Sequence, residues 1–500
     1  MQETTNKTKE TNSSIDVIRQ GRIQKANDLR EKGVNPYPYK FNKTASAKEL
    51  QDKYINLKDG EETTDTYSVA GRVMAIRNSG MFIDLMDDTG KIQIFSHKQN
   101  IDETKLKLLK LVDIGDIVGF TGDIRRTPRG ELSIKAVDFE ILTKSLKPLP
   151  EKFHGLTDVE TRYRPRDVYM IMNPEVKETF RKRGLIIQKI REYLTSQGFL
   201  EVETPMLHSQ AGGANARPFE THHNALDIPM YMRIAPELHL KRLMVGGLSE
   251  KIFEINRCFR NEGIDSLHNP EFTTIELYEA YVDYNDMMTL TENMVAYVAK
   301  EVLGTTKIKY GDNEIDLTPP WDRKTMIGSI KEATGVDFEK FMTAQEAEAA
   351  AKELGIELED NMNWGKIVEA VFEAKVEPFI IQPVHIMDYP REISPLAKVH
   401  RHNPRLTERF ESKVNGWELA NAFSELTDPV DQRERFEAQA LAKAQGDEEA
   451  CDIDEDFINA LEYGMPPTGG MGMGIDRLVM LLTNSSTIRD VIAFPTMKNK

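Results

Sequence analysis

The residues from Phe259 to Tyr278, FRNEGIDSLHNPEFTTIELY, bring together side chains that suit a ligand carrying phosphate, purine and amine groups. Alternating apolar and polar residues predict a strand on each side of a loop, with Arg260 on the polar face of the first strand. In the second strand the apolar residues point one way, so Glu276 shares the other face with Tyr278. One surface then collects a cation, carboxylates, a phenol and an aromatic ring. A half-buried hairpin with a solvated polar face is the alternative interpretation.

The segment RFESKVNGWELANAFSELTDP, residues 409–429, predicts a hairpin with carboxylates near its turn. Asn-Gly at positions 415 and 416 is a strong two-residue turn signal, and it places Lys413 opposite Glu418. Glu411 then lies diagonal to Glu418, and diagonal neighbours are about 7–8 Å apart at the backbone. Both carboxylates could reach one Mg²⁺, an ion that fills its octahedron with water and phosphate. A solvated Lys413–Glu418 ion pair is the alternative.

Further polar residues follow in the second strand of this hairpin. By strict alternation Asn421, Phe423 and Glu425 lie on the face opposite to Glu418. Both faces can therefore serve one ligand only if a bulge or a strong twist intervenes.

A glycine-rich segment, GGMGMGIDRL at residues 469–478, could also bind a ligand. A dinucleotide-binding fingerprint would need a third glycine where Ile475 stands, and no GxxxxGK[ST] phosphate loop occurs in the chain. Glycines such as Gly472 instead let the backbone approach a ligand closely. Arg477 is expected at the start of the helix that follows.

The elements that position these residues divide the chain into an α+β arrangement. Short strands separated by turn signals, with a helix between the third and the fourth, predict a five-stranded OB-type β-barrel. The predicted strands are 68–76, 81–87, 91–95, 116–124 and 131–139, and the predicted helix is 102–111. Such barrels bind single-stranded nucleic acid, but they also serve as protein-binding or structural modules.

We therefore predict three regions. Residues 1–66 form a tail, a helix and a connector, residues 67–143 form the barrel, and residues 144–500 form the larger domain. In that domain residues 180–197 have helical spacing, and the strand Phe199–Pro205 follows. Residues from about 305 to 375 are interpreted as an insertion without assigned chemistry.

Charge and composition limit the partners and the location. The net charge of −16 argues at first against nucleic acid, but residues 1–143 hold 23 Lys and Arg against 22 Asp and Glu. Residues 144–500 hold 42 against 59, so a polyanion would meet the first third more easily. A helix predicted to start at Ser14 offers a basic patch at Arg19, Arg22, Lys25, Arg30 and Lys32, or a solvated face. No 18-residue apolar run and no metal-type cysteine spacing occur, and we expect a cytoplasmic protein with no membrane partner.

Three of these segments resemble the class II aminoacyl-tRNA synthetases. The sequence FRNEG followed by HNPEFT resembles motif 2, the helix and strand ending at Pro205 resemble motif 1, and GGMGMGIDR resembles motif 3. The continuation TTIELYEAY is similar to the lysyl enzymes of subclass IIb, bacterial type. The resemblance spans about residues 15–496 and implies the class II catalytic fold, a mostly antiparallel sheet flanked by helices, behind an anticodon-binding barrel.

The resemblance implies roles for individual residues. Arg260 and Arg477 would be catalytic. The lysine pocket would be formed by Gly213, Glu237, Glu276, Tyr278, Asn421, Phe423 and Glu425. ATP would be bound by Arg260, Glu262, His268, Asn269, Phe272, Glu411, Gly472 and Arg477, and Mg²⁺ by Glu411 and Glu418. The anticodon would be read by Phe82, Gln93, Glu131, Arg72 and Arg77.

The implied activity is ATP-dependent ligation of lysine to the 3′ end of tRNA(Lys) through lysyl-adenylate. The resemblance implies about one to three Mg²⁺ ions, ATP as a substrate, and a homodimer formed through the motif 1 region. Two other activities stay open from the sequence: attachment of an amino acid to a protein, and tRNA binding without catalysis. The first is less compatible with an N-terminal barrel, and the second with the presence of Arg260, Glu411, Glu418 and Arg477.

Overall fold

A computed structural model describes residues 2–150, 162–359, 361–444 and 453–498 of the chain. The chain divides into two compact units, Met1–Thr157 and Asp158–Lys500. The described part of the tail that we predicted as the start of the larger domain, from residue 144, groups with the first unit.

The first unit contains a closed five-stranded barrel with the strand order β1-β2-β3-β5-β4. Its elements are α1 Gln2–Glu31, α2 Ala47–Lys53, β1 Glu62–Arg77, β2 Phe82–Met86, β3 Lys91–Phe95, α3 Glu103–Leu109, β4 Ile117–Arg126 and β5 Leu132–Thr143. The strands pair antiparallel except β3 with β5. The predicted barrel, with its helix between β3 and β4, is confirmed.

Alternation along β2 and β3 determines which side chains fill the barrel. Ile83 and Leu85 are buried inside, as are Ile92 and Ile94 in the neighbouring strand. Phe82 alternates with Ile83 and therefore lies on the outer face, where its side chain is half-buried. The sequence alone left this choice open.

The first helix differs from its prediction. It begins at Gln2 rather than at Ser14, so the expected helix start is wrong. Two residues of the expected basic patch bind within the unit: Arg22 donates to the carbonyl oxygens of Ile114, Ser145 and Lys147. Lys25 donates to Asp113 at 2.6 Å. These cations fix the helix to neighbouring loops and are not available as a continuous patch for a polyanion.

The second unit is built on an eight-stranded sheet with the order β14-β15-β16-β17-β18-β11-β10-β6. Its helices are α4 Arg166–Met172, α5 Pro174–Ser196, α6 Glu237–Val245, α7 Tyr284–Leu303, α8 Met326–Thr334, α9 Ala344–Glu353, α10 Trp364–Lys375, α11 Pro429–Ala444, α12 Glu455–Glu462, α13 Ile475–Thr483 and α14 Ile488–Val491. Its strands are β6 Leu200–Glu201, β7 Leu207–His208, β8 Glu220–His223, β9 Ile228–Met232, β10 Lys251–Phe259, β11 Glu271–Ala280, β12 Lys307–Tyr310, β13 Asn313–Asp316, β14 Asp322–Thr325, β15 Val384–Met387, β16 Arg409–Val414, β17 Trp417–Ser424 and β18 Thr468–Gly474.

The sheet is antiparallel from β15 to β10 and parallel only at its two ends. One face packs on α5, α7 and α13 through a core that includes Ile275 and Leu277 of β11, both fully buried. The mostly antiparallel sheet flanked by helices is confirmed. The predicted strand Phe199–Pro205 is shorter, since only Leu200–Glu201 pairs, in parallel with β10.

The segment expected as an insertion contributes to the main sheet. Residues 305–375 hold the β12–β13 hairpin, three helices and a core around Trp364 and Phe372. They also hold β14, which pairs in parallel with β15 at one edge of the eight-stranded sheet. Part of this segment therefore completes the catalytic unit's scaffold.

Candidate active site

A cavity of about 460 Å³ opens on the face of the sheet opposite to the helical core. It is lined by every residue to which a lysine, ATP or metal role was assigned: Gly213, Glu237, Arg260, Glu262, His268, Asn269, Phe272, Glu276, Tyr278, Glu411, Glu418, Asn421, Phe423, Glu425, Gly472 and Arg477. Residues from five separate chain segments thus meet in one place: Gly213, Glu237, and residues within 260–278, 411–425 and 472–477.

The floor of the cavity is β18, whose glycines alternate with methionines. Met471 and Met473 are buried in the helical core, so Gly470 and Gly472 face the cavity. Gly472 lies between Glu276 of β11 and Asn421 of β17. A Cβ at Gly470 would come within 1.9 Å of Glu425 Oε1. Gly470 therefore leaves room for the buried Glu425 carboxylate. A glycine is needed at this position of β18 for side-chain packing, and not only for contact with a ligand.

A β-bulge places Glu418 on the same face of the β16–β17 hairpin as Asn421, so both line the cavity. The turn residues Asn415 and Gly416 both have positive φ, and Lys413 pairs with Glu418 as predicted. The next pair is Ser412 with Ala420, so Leu419 is the extra residue. Without this bulge, strict alternation would place Asn421, Phe423 and Glu425 on the face opposite to Glu418, so the bulge is the irregularity that the sequence pattern called for.

One end of the cavity is acidic and buried. Glu237 and Glu425 are 8% and 1% exposed, and the Tyr278 hydroxyl donates to Glu276 at 3.2 Å. Burial, reinforced by the nearby Glu237 carboxylate, raises the pKa of Glu276 to about 8. Burial also raises the pKa of Glu425 to about 8. Such shifts mean that the empty pocket holds protons that a cationic ligand would displace.

Glu425 Oε2 forms an ion pair with Lys241, whereas Oε1 has no hydrogen-bond partner among the described residues. A buried acceptor without a donor is costly, and Oε1 remains available to a ligand. Gly213 borders the same end with φ near +88°. A Cβ there would touch the Cβ atoms of Ala235 and Glu237 at 3.4 Å, so a small residue keeps the pocket open.

The other end of the cavity carries the arginines. The Arg260 guanidinium lies 5.1 Å from the centre of the Phe272 ring, and its Nε is buried without a hydrogen-bond partner among the described residues. Arg477 donates to the Glu418 carbonyl at 2.7 Å and lies 3.2 Å from His268 Nε2. These cations face a space that an anionic group can enter.

The loop between β10 and β11 is held by local hydrogen bonds. His268 Nδ1 lies 2.8 Å from Asp265, and Glu262 is exposed at the cavity mouth. Asn269 donates to the Glu271 carbonyl at 2.6 Å and accepts from the Thr496 amide at 3.3 Å. The Asn269 side chain is therefore engaged in shaping the loop.

The two carboxylates predicted to hold a metal have different surroundings. Glu411 is buried and accepts from Arg409 at 2.7 Å and Lys413 at 2.6 Å. Burial alone would raise the pKa of Glu411, but Lys413 and Arg409 outweigh it and hold the pKa at about 2. Glu418 is more exposed, with a carboxylate oxygen 3.5 Å from Arg477. Within the described part of the chain no cluster of three or more His, Cys, Asp or Glu could hold a metal alone.

The residues assigned to the barrel form a second, separate surface on the outer face of β2 and β3. The ring centres of Phe82 and Phe95 are 5.4 Å apart. Gln93 accepts from Ser133 at 3.0 Å, and Arg77 binds both oxygens of Asp84 at 2.7 and 2.9 Å.

Two other barrel residues have different surroundings. Glu131 is exposed and lies 3.8 Å from Lys91. Arg72 donates to the Gly115 carbonyl at 2.7 Å and is half-buried. Its guanidinium is therefore engaged by the loop before β4.

Comparison with known proteins identifies a family for each of the two parts of the chain that carry these surfaces. Residues 158–498 match a family described as tRNA synthetases class II (D, K and N), and residues 67–142 match an OB-fold nucleic acid binding domain. The chain belongs to the class II tRNA synthetases of this group.

Relatives named lysine–tRNA ligase are similar over most of their length. The Carboxydothermus hydrogenoformans protein is 56% identical over 95% of this chain and 97% of its own. The Bacillus subtilis protein is 54% identical over 96% of this chain and 97% of its own length. A Nostoc protein is 56% identical over 96% of this chain and 88% of its own length. No helix in the described residues of this synthetase is long and apolar enough to cross a membrane.

The structure of the synthetase also adds residues that the sequence did not reveal. Arg409 lines the cavity and donates to Asn421 at 3.0 Å; its position two residues before Glu411 on a strand was a usable signal. Lys241 lies behind the acidic end, bound to Glu237; the i, i+4 spacing of these two residues on one helix was a second signal. On the barrel, Phe95 extends the ring surface of Phe82.

Proposed function

We propose that the chain is a lysine–tRNA ligase, which joins lysine to ATP as lysyl-adenylate and then transfers lysine to the 3′ end of tRNA(Lys). The main support is the polarity of this one cavity, which has buried carboxylates at one end and arginines at the other. A substrate with a cationic side chain and an anionic partner fits both ends. Relatives that carry this name at 54–56% identity agree with the proposal.

At the acidic end, Glu425 and Tyr278 bind the ε-ammonium of lysine, with Glu276 beside them. Glu237 and the backbone at Gly213 bind the α-ammonium. Two features support these roles, namely the burial of the carboxylates and the acceptor left open at Glu425 Oε1. Phe423 covers the aliphatic stem of the substrate, and Asn421 meets the carboxylate together with Arg260.

Activation of lysine needs no general base, because the substrate carboxylate is already anionic at neutral pH. The site must hold this carboxylate against the α-phosphate and stabilise the charge that develops as pyrophosphate leaves. Arg260 lies where it can contact both groups. Arg477 and Phe272 enclose the adenine, and His268, Glu262, Asn269 and Gly472 line the rest of the nucleotide space.

The donor set fits a magnesium ion shared with the nucleotide. Mg²⁺ in nucleotide enzymes is bound by one or two carboxylates plus substrate phosphates and waters, and Glu411 and Glu418 supply two carboxylates on one cavity wall. The low pKa of Glu411 keeps it ionised. When bound, the ion would neutralise charge on the phosphates. Among the residues of the chain, Arg409 and Lys413 keep Glu411 in place.

In the second step the 3′-hydroxyl of the terminal adenosine of tRNA takes the lysyl group from the adenylate. The barrel reads the anticodon: Phe82 stacks on a base, while Gln93 and Glu131 bind its edge. Arg77 binds a phosphate or a base of the anticodon after its guanidinium leaves the Asp84 carboxylate. The Arg72 guanidinium already binds a carbonyl, which makes it the weakest member of this set.

We also propose a homodimer in the cytoplasm. The region after α5 that resembles motif 1 exposes apolar side chains, including Leu200, Met206 and Leu207, each about 45% exposed. Exposed large apolar side chains that lie close together in sequence are compatible with an interface. Sedimentation equilibrium should give twice the chain mass, and Leu207→Glu should shift the equilibrium to monomer.

The test of the function is ATP–pyrophosphate exchange with each of the standard amino acids, followed by charging of bulk tRNA. We expect exchange with lysine and lysine-specific charging. Exchange with aspartate or asparagine would contradict the assignment of the acidic pocket. Exchange without tRNA charging would favour transfer of an amino acid to a protein, and tRNA binding without exchange would mean that the chain is not a ligase.

A further inference from the structure

A lysine of the chain itself is buried among the carboxylates of the proposed amino-acid site. Lys241, on α6, is 0% exposed. Its ammonium binds Glu237 at 2.5 Å, forms an ion pair with Glu425, and lies 5.3 Å from the centre of the Phe423 ring. All three partners line the cavity. Lys241 therefore contacts the substrate's proposed partners from the side opposite to the substrate.

The formal charges of the side chains at the acidic end of the cavity do not sum to zero. Glu237, Glu276 and Glu425 bring three carboxylates to this end, and Lys241 supplies one permanent cation. Two positive charges are then missing. Lysine carries two ammonium groups, and its carboxylate faces Arg260, so bound lysine completes the balance. Unpaired charges are costly in a buried site, and this balance selects a substrate with two cationic groups.

We propose that Lys241 is a positioning and specificity-determining residue, the resident cation that holds the Glu237 and Glu425 carboxylates in the orientation in which two ammonium groups complete the site. The inference rests on the proposed lysine ligase function. It contradicts the simple expectation that removing a cation makes the pocket more attractive to lysine. Without Lys241 the Glu425 carboxylate would hold its proton more tightly and both carboxylates would lose the partner that orients them, so the affinity for lysine would fall.

The groups around Lys241 agree with this role. Desolvation alone would lower the pKa of Lys241, but the carboxylates of Glu237 and Glu425 outweigh it and raise the pKa. In turn, Lys241 lowers the pKa of both Glu425 and Glu276.

Other charged groups face this cluster from the elements packed against α6. These are Glu276 and Tyr278 from β11, Glu254 from β10, Arg233 paired with Glu254 at 2.6 Å, and Asp454 just before α12. The Arg233–Glu254 pair is internally balanced. Lys241 is thus the one cation within the described residues that an ion-pair contact joins to Glu425.

The first experiment compares Lys241→Met and Lys241→Gln with the full-length protein in ATP–pyrophosphate exchange. We expect the KM for lysine to rise about 10²-fold in both variants, because a buried pair loses one partner, while the KM for ATP changes less than about twofold. Gln keeps hydrogen-bonding capacity without charge, so an equal effect in both variants identifies the charge as the cause. Lys251→Met is the matched control, since Lys251 pairs with Glu279 at 2.7 Å outside the cavity.

The pH dependence separates this role from a structural one. Loss of Lys241 should move the acid limb of kcat/KM for lysine to higher pH, since Glu276 and Glu425 lose a neighbouring cation. Lys251→Met should leave the limb in place. A lysine KM that is unchanged or lower in Lys241→Met, or an acid limb that does not move, would overturn the inference.

A measurement on the unmodified protein covers the case that the variants do not fold. Calorimetry of lysine binding at pH 7 in buffers of different ionisation enthalpy should show release of about one to two protons. Binding without proton release would contradict the charge balance. Absence of lysine-dependent exchange in the unmodified protein would refute the proposed function itself, whereas normal exchange with unaffected Lys241 variants would refute only this inference.

Discussion

The two candidate binding surfaces of this synthetase differ in how they meet solvent. The acidic end of the cavity buries ionisable groups, with Lys241 and Glu425 at 0% and 1% exposure. The outer face of the barrel presents half-buried rings, Phe82 and Phe95, beside an Arg77 side chain that is 47% exposed. In the proposed function, the first surface would select its ligand by charge in a water-poor site, and the second by stacking next to water.

This difference predicts effects of different size. A buried charge without a partner costs several kcal/mol (about 3–5 when one partner of a buried pair is removed). A base stacked on an aromatic ring contributes about 1–3 kcal/mol. Changes at the cavity should therefore abolish lysine activation, and changes on the barrel should weaken tRNA charging while leaving activation intact.

The largest expected effect concerns the substrate itself. An analogue in which a methyl group replaces the ε-ammonium of lysine should have a kcat/KM about 10⁴–10⁵-fold lower in ATP–pyrophosphate exchange, because the carboxylates would lose their partner. Ornithine serves as the control: it keeps the charge but is one methylene shorter, a difference of about 10–200-fold. Equal rates with the methyl analogue and ornithine would mean that charge does not determine selection.

The next effect is expected at the arginine end. Arg260→Ala should lower the rate of lysyl-adenylate formation about 10²–10³-fold or more, the usual loss when a donor that stabilises developing charge is removed. Arg257→Ala is the matched control, because Arg257 lies on β10 three residues before Arg260, pairs with Glu271 at 3.5 Å and does not line the cavity. A near-normal exchange rate in Arg260→Ala would remove this residue from the chemistry.

The sequence predicted only part of how the residues in these experiments come together. Local patterns were sufficient for the barrel, for the β10–β11 unit and for the Asn415–Gly416 turn, because alternation and turn chemistry act over a few residues. The grouping of Glu237 with Glu425 was given by family resemblance alone. No local signal connects residues so far apart in the chain.

Other features could not be predicted for physical reasons. The bulge at Leu419 depends on packing against both neighbouring strands, so alternation placed Asn421 on the wrong face. The role of Lys241 depends on burial, and a lysine on a helix is solvated in most proteins. The start of α1 was misplaced because Ser14 has the chemistry of a helix cap but lies within a continuous helix.

A third prediction concerns pH and tests the cavity side of the comparison. Since the pKa values of Glu276 and Glu425 are raised to about 8, both are largely protonated at neutral pH in the ligand-free site. Binding of ammonium groups requires the ionised forms. Lysine affinity should therefore rise as pH increases toward about 8, by up to about tenfold per unit for each proton, and then level off.

Calorimetric titration of lysine at constant ionic strength checks this trend. ATP binding is the internal control, because the pKa of Glu411 at the nucleotide side of the cavity is lowered to about 2 by Lys413 and Arg409, against the effect of burial, so this carboxylate does not titrate in the same range. Glu276→Gln should remove part of the slope below pH 8. A lysine affinity that is constant between pH 6.5 and 8 would mean that the carboxylates are already ionised in the empty pocket.

The smallest expected effect lies on the barrel. Phe82→Ala should raise the KM for tRNA between about fivefold and 150-fold, the range of one stacking contact, and leave lysine-dependent exchange unchanged. Tyr39→Ala is a suitable control, since Tyr39 is fully exposed in the same unit. Because Phe82 lies on the outer face and the barrel core is filled by residues such as Ile83, the variant should keep its fold. Equal losses in charging and exchange would instead assign Phe82 a structural role, and the contrast between the two surfaces would then rest on the cavity alone.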